Sequence, residues 1–263
     1  MLMKLLKYDL KYMLKNMLMF YILAIVFSIF TRIMFSLDGS VMVKIISQIS
    51  VGCMFSMIAS ILINILMRSW VLFRDSIYKD ESYLTHTLPV TKNEIYNSKL
   101  MQSLIFFIIS FLVIIVSLFI AYYTKERWLL LNSFISGFTK SINFSTLFFV
   151  ISVLFILFIE IFNLLQCGYL GILLGYRMNN GKVGYSVLFG FIAYILSQCV
   201  VLASTFVLGL FNSSIMSLFK NDAYINPSSF KLLILVISVL YLIIIISMSF
   251  ICKKIFNKGV DIE

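Results

Sequence analysis

The chain has 263 residues, of which 62% are hydrophobic and 12% are charged, and its mean hydropathy is +1.05. Soluble domains carry roughly a quarter charged residues, so this composition excludes an ordinary soluble protein. The net charge of +10 would favour nucleic-acid binding in a soluble protein, but here the basic residues border apolar runs, which is typical of membrane orientation. We therefore expect a single integral membrane domain over residues 1–263, with no nucleic-acid partner.

The first 15 residues predict an amphipathic helix. Its lysines recur at spacings of three and four, which places them on one stripe of the helix, with leucine and methionine on the remaining surface. This pattern is typical of a helix that lies in the membrane interface, and a basic flank before the first span is the alternative. The lysines are Lys4, Lys7, Lys11 and Lys15.

Six apolar runs predict six transmembrane helices in an all-α fold. The runs cover residues 17–35, 44–67, 100–123, 144–176, 183–210 and 232–252. An even number of spans places both termini on one side of the membrane. The side that holds 14 of the 21 Lys and Arg residues should be cytoplasmic. This side includes both termini, the polar segment 68–99 and the predicted turn 177–182.

Residues 68–99 form the only long polar segment between two apolar runs. Thr91 and Glu94 have the form of a capping box, in which each side chain hydrogen-bonds to the backbone of the other. Pro89 disfavours a helix that passes through it. A helix should therefore begin near Lys92 and continue into the third span, and a cytoplasmic loop should precede it.

Residues 74–85, before the proline, are predicted to form a short surface helix. Four of its side chains share one face, and its two tyrosines favour a docking surface because aromatic residues often anchor interfaces. An ordinary solvated loop is the alternative. The candidate docking residues are Arg74, Ile77, Tyr78, Asp80, Glu81, Tyr83 and Leu84.

Motifs for chemistry within this chain are few. His86 is the single histidine and the cysteines form no Cys-x-x-Cys pair, so we expect no metal site and no catalytic residue. The run GYRMNNGK at 175–182 resembles a phosphate-binding loop, but five residues separate its glycines and Val183 replaces the required Ser or Thr. We interpret it as a turn between spans, so ATP would have to bind another chain.

One carboxylate is predicted inside the membrane. Glu160 lies in the middle of the fourth apolar run, where a charge is costly and normally faces protein or water. Asn163 partly shares its face. Two interpretations stay open: a cargo path or proton-linked site, and a hydrogen-bonded contact between helices. Gly171 and Gly175, four positions apart, predict close helix packing.

The residues at the N-terminus and in the polar segment resemble the permease subunits of type-2 ABC exporters, especially the small six-span permeases of low-GC Gram-positive bacteria. The resemblance lies in the basic helix KLLKYDLKYMLK and in residues 73–99. In the second region the matching runs are ESYLT at 81–85, TLPVT at 87–91, EI at 94–95 and KL at 99–100. The short connection between spans five and six departs from relatives that carry a large extracellular domain or re-entrant helices there.

The resemblance implies a dimer of identical or related permease chains with two cytoplasmic ATPase subunits, which would carry the ATP and Mg. Residues 74–85 would be the coupling helix that binds the ATPase, and the N-terminal helix would act as a lever. The implied cargo is an amphipathic peptide of the bacteriocin or antimicrobial type, a drug or a lipid-like compound, leaving across the bacterial cell membrane. A stand-alone proton-coupled transporter using Glu160 and a non-transporting scaffold or sensor are the alternatives.

Overall fold

The computed structural model describes residues 2–37, 41–79, 82, 90–123, 125–141, 145–212, 215–216 and 227–258. Nearly all of them are helical, and this part of the chain has no strand. The long helices are α1 (Leu2–Ser36), α2 (Val41–Tyr78), α3 (Lys92–Tyr122), α4 (Lys125–Ser141), α5 (Thr146–Gly175), α6 (Lys182–Phe211) and α7 (Pro227–Asn257). Six of these, all except α4, are long and apolar enough to cross a membrane. The predicted all-α multi-pass membrane fold is therefore confirmed over the described residues.

Helix α1 is one continuous helix of 35 residues. The predicted interfacial helix over 1–15 and the first span from residue 17 are therefore parts of one helix. The physical reason is that α1 contains neither glycine nor proline, so no residue interrupts the helix between the lysines and the apolar run. The four lysines are all exposed, and their position at the membrane interface stays a prediction.

Helix α2 is also longer than predicted. Its 38 residues span about 57 Å at about 1.5 Å per residue, whereas the hydrocarbon core of a bilayer is about 30 Å thick. Residues 74–78, predicted to start a separate coupling helix, are the last residues of α2. Charged side chains do not end a helix, and α2 contains no proline. Of the remaining predicted helix, only Lys79 and Ser82 are among the described residues.

The other predicted boundaries are close to the observed ones, with one exception. Helix α3 begins at Lys92, as predicted, and α5 and α6 cover the fourth and fifth apolar runs. Helix α7 begins at Pro227, a residue that suits the first helical position because its missing N–H would have no partner there. The exception is α4, a helix of 17 residues where we predicted only a short polar connection.

The chain divides into two compact units, residues 1–130 and 131–263. In the first unit α1 packs against α2 and α3. Helices α1 and α3 run parallel, and the hydroxyls of Tyr21 and Ser110 share a hydrogen bond of 2.7 Å between them. The buried side chains of α1 recur every three or four positions, as one helix face requires. They are Leu6, Asp9, Met13, Met17, Tyr21, Ala24, Ser28 and Thr31.

In the second unit α5 packs against α6 and α7. Glycines bring α5 and α6 close together: a Cβ on Gly171 would lie 2.5 Å from the backbone nitrogen of Gly190, and one on Gly175 would lie 2.5 Å from the Cα of Ser186. The predicted close packing is therefore confirmed. The turn between these helices is also as predicted, with Gly181 at a φ of 66°, a conformation that glycine adopts without strain.

Candidate functional site

Each unit contains a group of polar side chains that is a candidate for function. In the first unit the group begins where the α2–α3 segment (residues 79–91) joins α3. The backbone N–H of Thr91 donates to Oε2 of Glu94 over 3.0 Å, and the N–H of Glu94 donates to Oγ1 of Thr91 over 3.4 Å. This confirms the predicted capping box, which fixes the end of the segment and the first turn of α3.

Buried side chains lie near both helix ends that flank this segment. The rings of Phe73 on α2 and Tyr96 on α3 meet edge to face with their centroids 6.1 Å apart. Ile77 and Tyr78, two of the candidate docking residues, are 0% and 3% exposed. Their side chains are therefore buried within this chain, and their role in docking stays a prediction.

The other candidate docking residues have different outcomes. Arg74 is partly exposed, and its Nη2 lies 2.8 Å from Oδ1 of Asp75, the next residue on α2. The remaining four lie outside the described residues, so their role stays a prediction. They are Asp80, Glu81, Tyr83 and Leu84.

A buried ion pair connects α1 to α3 and was not predicted. Nζ of Lys99 lies 2.8 Å from Oδ1 of Asp9, and the two side chains are 3% and 11% exposed. The hydroxyl of Ser98 donates to the other carboxylate oxygen over 3.5 Å. The sequence contains a signal for it: Asp9 is the single acidic residue in the first 37, and it lies on the helix face opposite the lysine stripe.

The second unit contains a polar cluster on α5, α6 and α7, which we call the Glu160 cluster: Glu160, Tyr194, Gln198 and Tyr241. Glu160 lies at the middle of α5 and is half-buried. The Tyr194 hydroxyl donates to its Oε1 over 3.4 Å. Among the described residues no lysine or arginine lies within 4.0 Å of this carboxylate. In the part of the chain that the structure describes, the carboxylate at the centre of this helix therefore has no cation beside it.

The rest of the Glu160 cluster extends from α6 to α7. The Tyr241 hydroxyl donates to Oε1 of Gln198 over 2.8 Å. Among the described residues Nε2 of Gln198 is buried without a hydrogen-bond partner, so the cluster offers an unused donor as well as a carboxylate.

Asn163 is buried and hydrogen-bonded. Its side chain is 0% exposed, its Nδ2 donates to Oγ of Ser197 over 2.9 Å, and Cys167 contacts its Oδ1 at 3.9 Å. A place for Asn163 in a cargo path stays a prediction. Its amide satisfies buried polar groups between α5 and α6, as hydrogen-bonding groups inside a membrane protein generally do.

No protein-family model matches this chain, and no curated protein or solved structure does. The function must therefore be inferred from the residues. Two properties are available for that inference. Buried contacts join α1, α2 and α3 near the two helix ends that flank the α2–α3 segment, and the Glu160 cluster places at the middle of a long apolar helix a carboxylate that has no cation beside it among the described residues.

Proposed function

We propose that this chain is the membrane-spanning permease subunit of a type-2 ABC exporter, working in the bacterial cell membrane with both termini in the cytosol. It would pair with a second permease chain and with separate cytoplasmic ATPase subunits that bind ATP and Mg. The support is the resemblance of residues 73–99 to such permeases, together with six helices suited to crossing a membrane. The proposed cargo is an amphipathic peptide, a drug or a lipid-like compound.

The observation that carries this proposal is the set of buried contacts around the α2–α3 segment. A segment that receives force from an ATPase must pass it to the spanning helices without yielding. Phe73 and Tyr96 join the two helix ends beside the segment, the Thr91 cap holds the first turn of α3, and Lys99 binds Asp9 on α1. Movement of the segment would therefore displace α1, α2 and α3 together.

The test is coexpression with an ATPase encoded beside this chain. We expect the two proteins to copurify, and the chain to stimulate ATP hydrolysis. Reversal of charge by Asp80→Lys with Glu81→Lys should reduce that stimulation, because both residues lie in the segment that would meet the ATPase. Asn179→Lys with Asn180→Lys is the control, since it adds two lysines to the exposed turn between α5 and α6. Unchanged copurification and stimulation in the Asp80 and Glu81 variant would contradict the proposed contact.

A second candidate function is proton-coupled transport by this chain alone. The observation that favours it is the half-buried Glu160 carboxylate, which binds only a tyrosine hydroxyl among the described residues. The purified chain would then move cargo in vesicles under a pH gradient without any ATPase, and Glu160→Gln would abolish the movement. Transport that requires ATP and the ATPase would reject this candidate.

A further inference from the structure

We propose that the Glu160 cluster binds the positively charged group of a lipophilic cation, such as an alkylammonium compound or an amine-bearing amphipathic peptide. This inference rests on the proposed export function, because it assigns a chemical class to the cargo. It is carried by the contrast between a carboxylate placed at the middle of a long apolar helix and the absence, among the described residues, of a cation to pair with it.

The charge balance around Glu160 is the first step. Glu160 is the single charged residue of α5, and the charged residues of α6 and α7 lie towards their ends. An ionised carboxylate at the centre of a bilayer is costly unless it faces protein or water or has a partner. A hydrogen bond of 3.4 Å from Tyr194 is long and offsets little of that cost. A cation at the carboxylate would offset much more.

The neighbours of Glu160 are suited to an organic cation. The Tyr194 hydroxyl contacts the carboxylate, and the Tyr241 hydroxyl binds Gln198, four positions after Tyr194 on α6. The cluster therefore contains two aromatic rings, whose faces attract ammonium and related cations within about 6 Å. The unpartnered Nε2 of Gln198 can donate to a carbonyl or hydroxyl oxygen beside the cation. A carboxylate, aromatic rings and one free donor recognise a lipophilic amine better than an anion or an uncharged lipid.

The buried ion pair of the first unit shows which contacts a carboxylate makes where its role is structural. The Asp9 carboxylate pairs with Lys99 at 2.8 Å and also accepts from Ser98. Glu160 has no such cation and is more exposed than Asp9. Its carboxylate therefore retains the capacity to bind a charged ligand, whereas that of Asp9 does not.

The experiment measures binding of radiolabelled tetraphenylphosphonium to the purified full-length chain in lipid nanodiscs, with empty nanodiscs as the background. The chain alone is used, without an ATPase. We expect saturable binding that octylammonium displaces and that 1-octanol, an uncharged molecule of equal chain length, does not. Glu160→Gln should raise the Kd at least tenfold, Tyr194→Phe about threefold, and Glu160→Asp less than Glu160→Gln because it keeps the carboxylate.

Folding is checked by the thermal midpoint and the gel-filtration profile of each variant, and Ser238→Ala on α7 serves as a control outside the cluster. A Kd for Glu160→Gln within twofold of wild type overturns the proposal and leaves Glu160 to a proton or to helix contacts. Absence of saturable binding to the wild-type chain overturns it as well. Neither result bears on copurification with an ATPase, so failure of this inference is distinct from failure of the proposed function.

Discussion

The buried pair of Asp9 and Lys99 gives the most quantitative prediction. Asp9→Asn leaves the ammonium of Lys99 buried and unpaired, and Lys99→Met leaves the Asp9 carboxylate in the same state. Because the side chains are 11% and 3% exposed, each single substitution should lower the free energy of unfolding by about 3–5 kcal/mol. The double variant removes both charges, so it should be more stable than either single variant.

The assay is unfolding in mixed micelles, with the fraction of SDS raised until helicity is lost. The double-mutant cycle should give a coupling of at least about 2 kcal/mol, since the two charges are in direct contact. Asp75→Asn is the control, because it breaks the partly exposed pair with Arg74 and should cost below about 1 kcal/mol. Single effects that add to within about 0.5 kcal/mol would refute the reasoning.

Two further predictions concern helix packing and capping. Gly171→Ala should lower the free energy of unfolding by about 3 kcal/mol, because the added Cβ meets the backbone of α6. Gly184→Ala, where nothing lies within 4 Å of the added atom, should be neutral or slightly stabilising in the same assay. Thr91→Ala should lower the free energy of unfolding by about 1 kcal/mol through loss of the cap. Thr91→Ser keeps the hydroxyl and should lower it less. Equal effects of the two changes would contradict the capping interpretation.

Features that depend on neighbouring residues could be predicted from the sequence. The capping box at Thr91 and Glu94 involves residues three positions apart, and the turn at 177–182 is defined by its own composition. The six spanning helices follow from apolar runs of sufficient length. The ends of α1 and α2 were less predictable, because lysines and arginines mark where a helix leaves the apolar region but do not mark where it stops.

Contacts between residues distant in the chain could not be predicted. Asp9 and Lys99 are 90 positions apart, and periodicity alone places Asp9 on the apolar face of α1 without naming its partner. The same limit explains Asn163, whose partner Ser197 lies 34 positions further along the chain. The polar side chain of Asn163 in a spanning helix suggested a cargo path. A hydrogen bond from its amide to the Ser197 hydroxyl on the next helix explains a polar residue at this position equally well.

A polar side chain is therefore a better candidate for function when it lacks a strong hydrogen bond or ion pair among the described residues. Asn163 is fully buried and already hydrogen-bonded, and Asp9 is paired, so neither can accept a ligand without losing its present partner. Glu160 has only a weak hydrogen bond, and it lies where an unpaired charge is most costly. A carboxylate at such a position, with no cation beside it in the described part of the chain, suits the positively charged cargo proposed above.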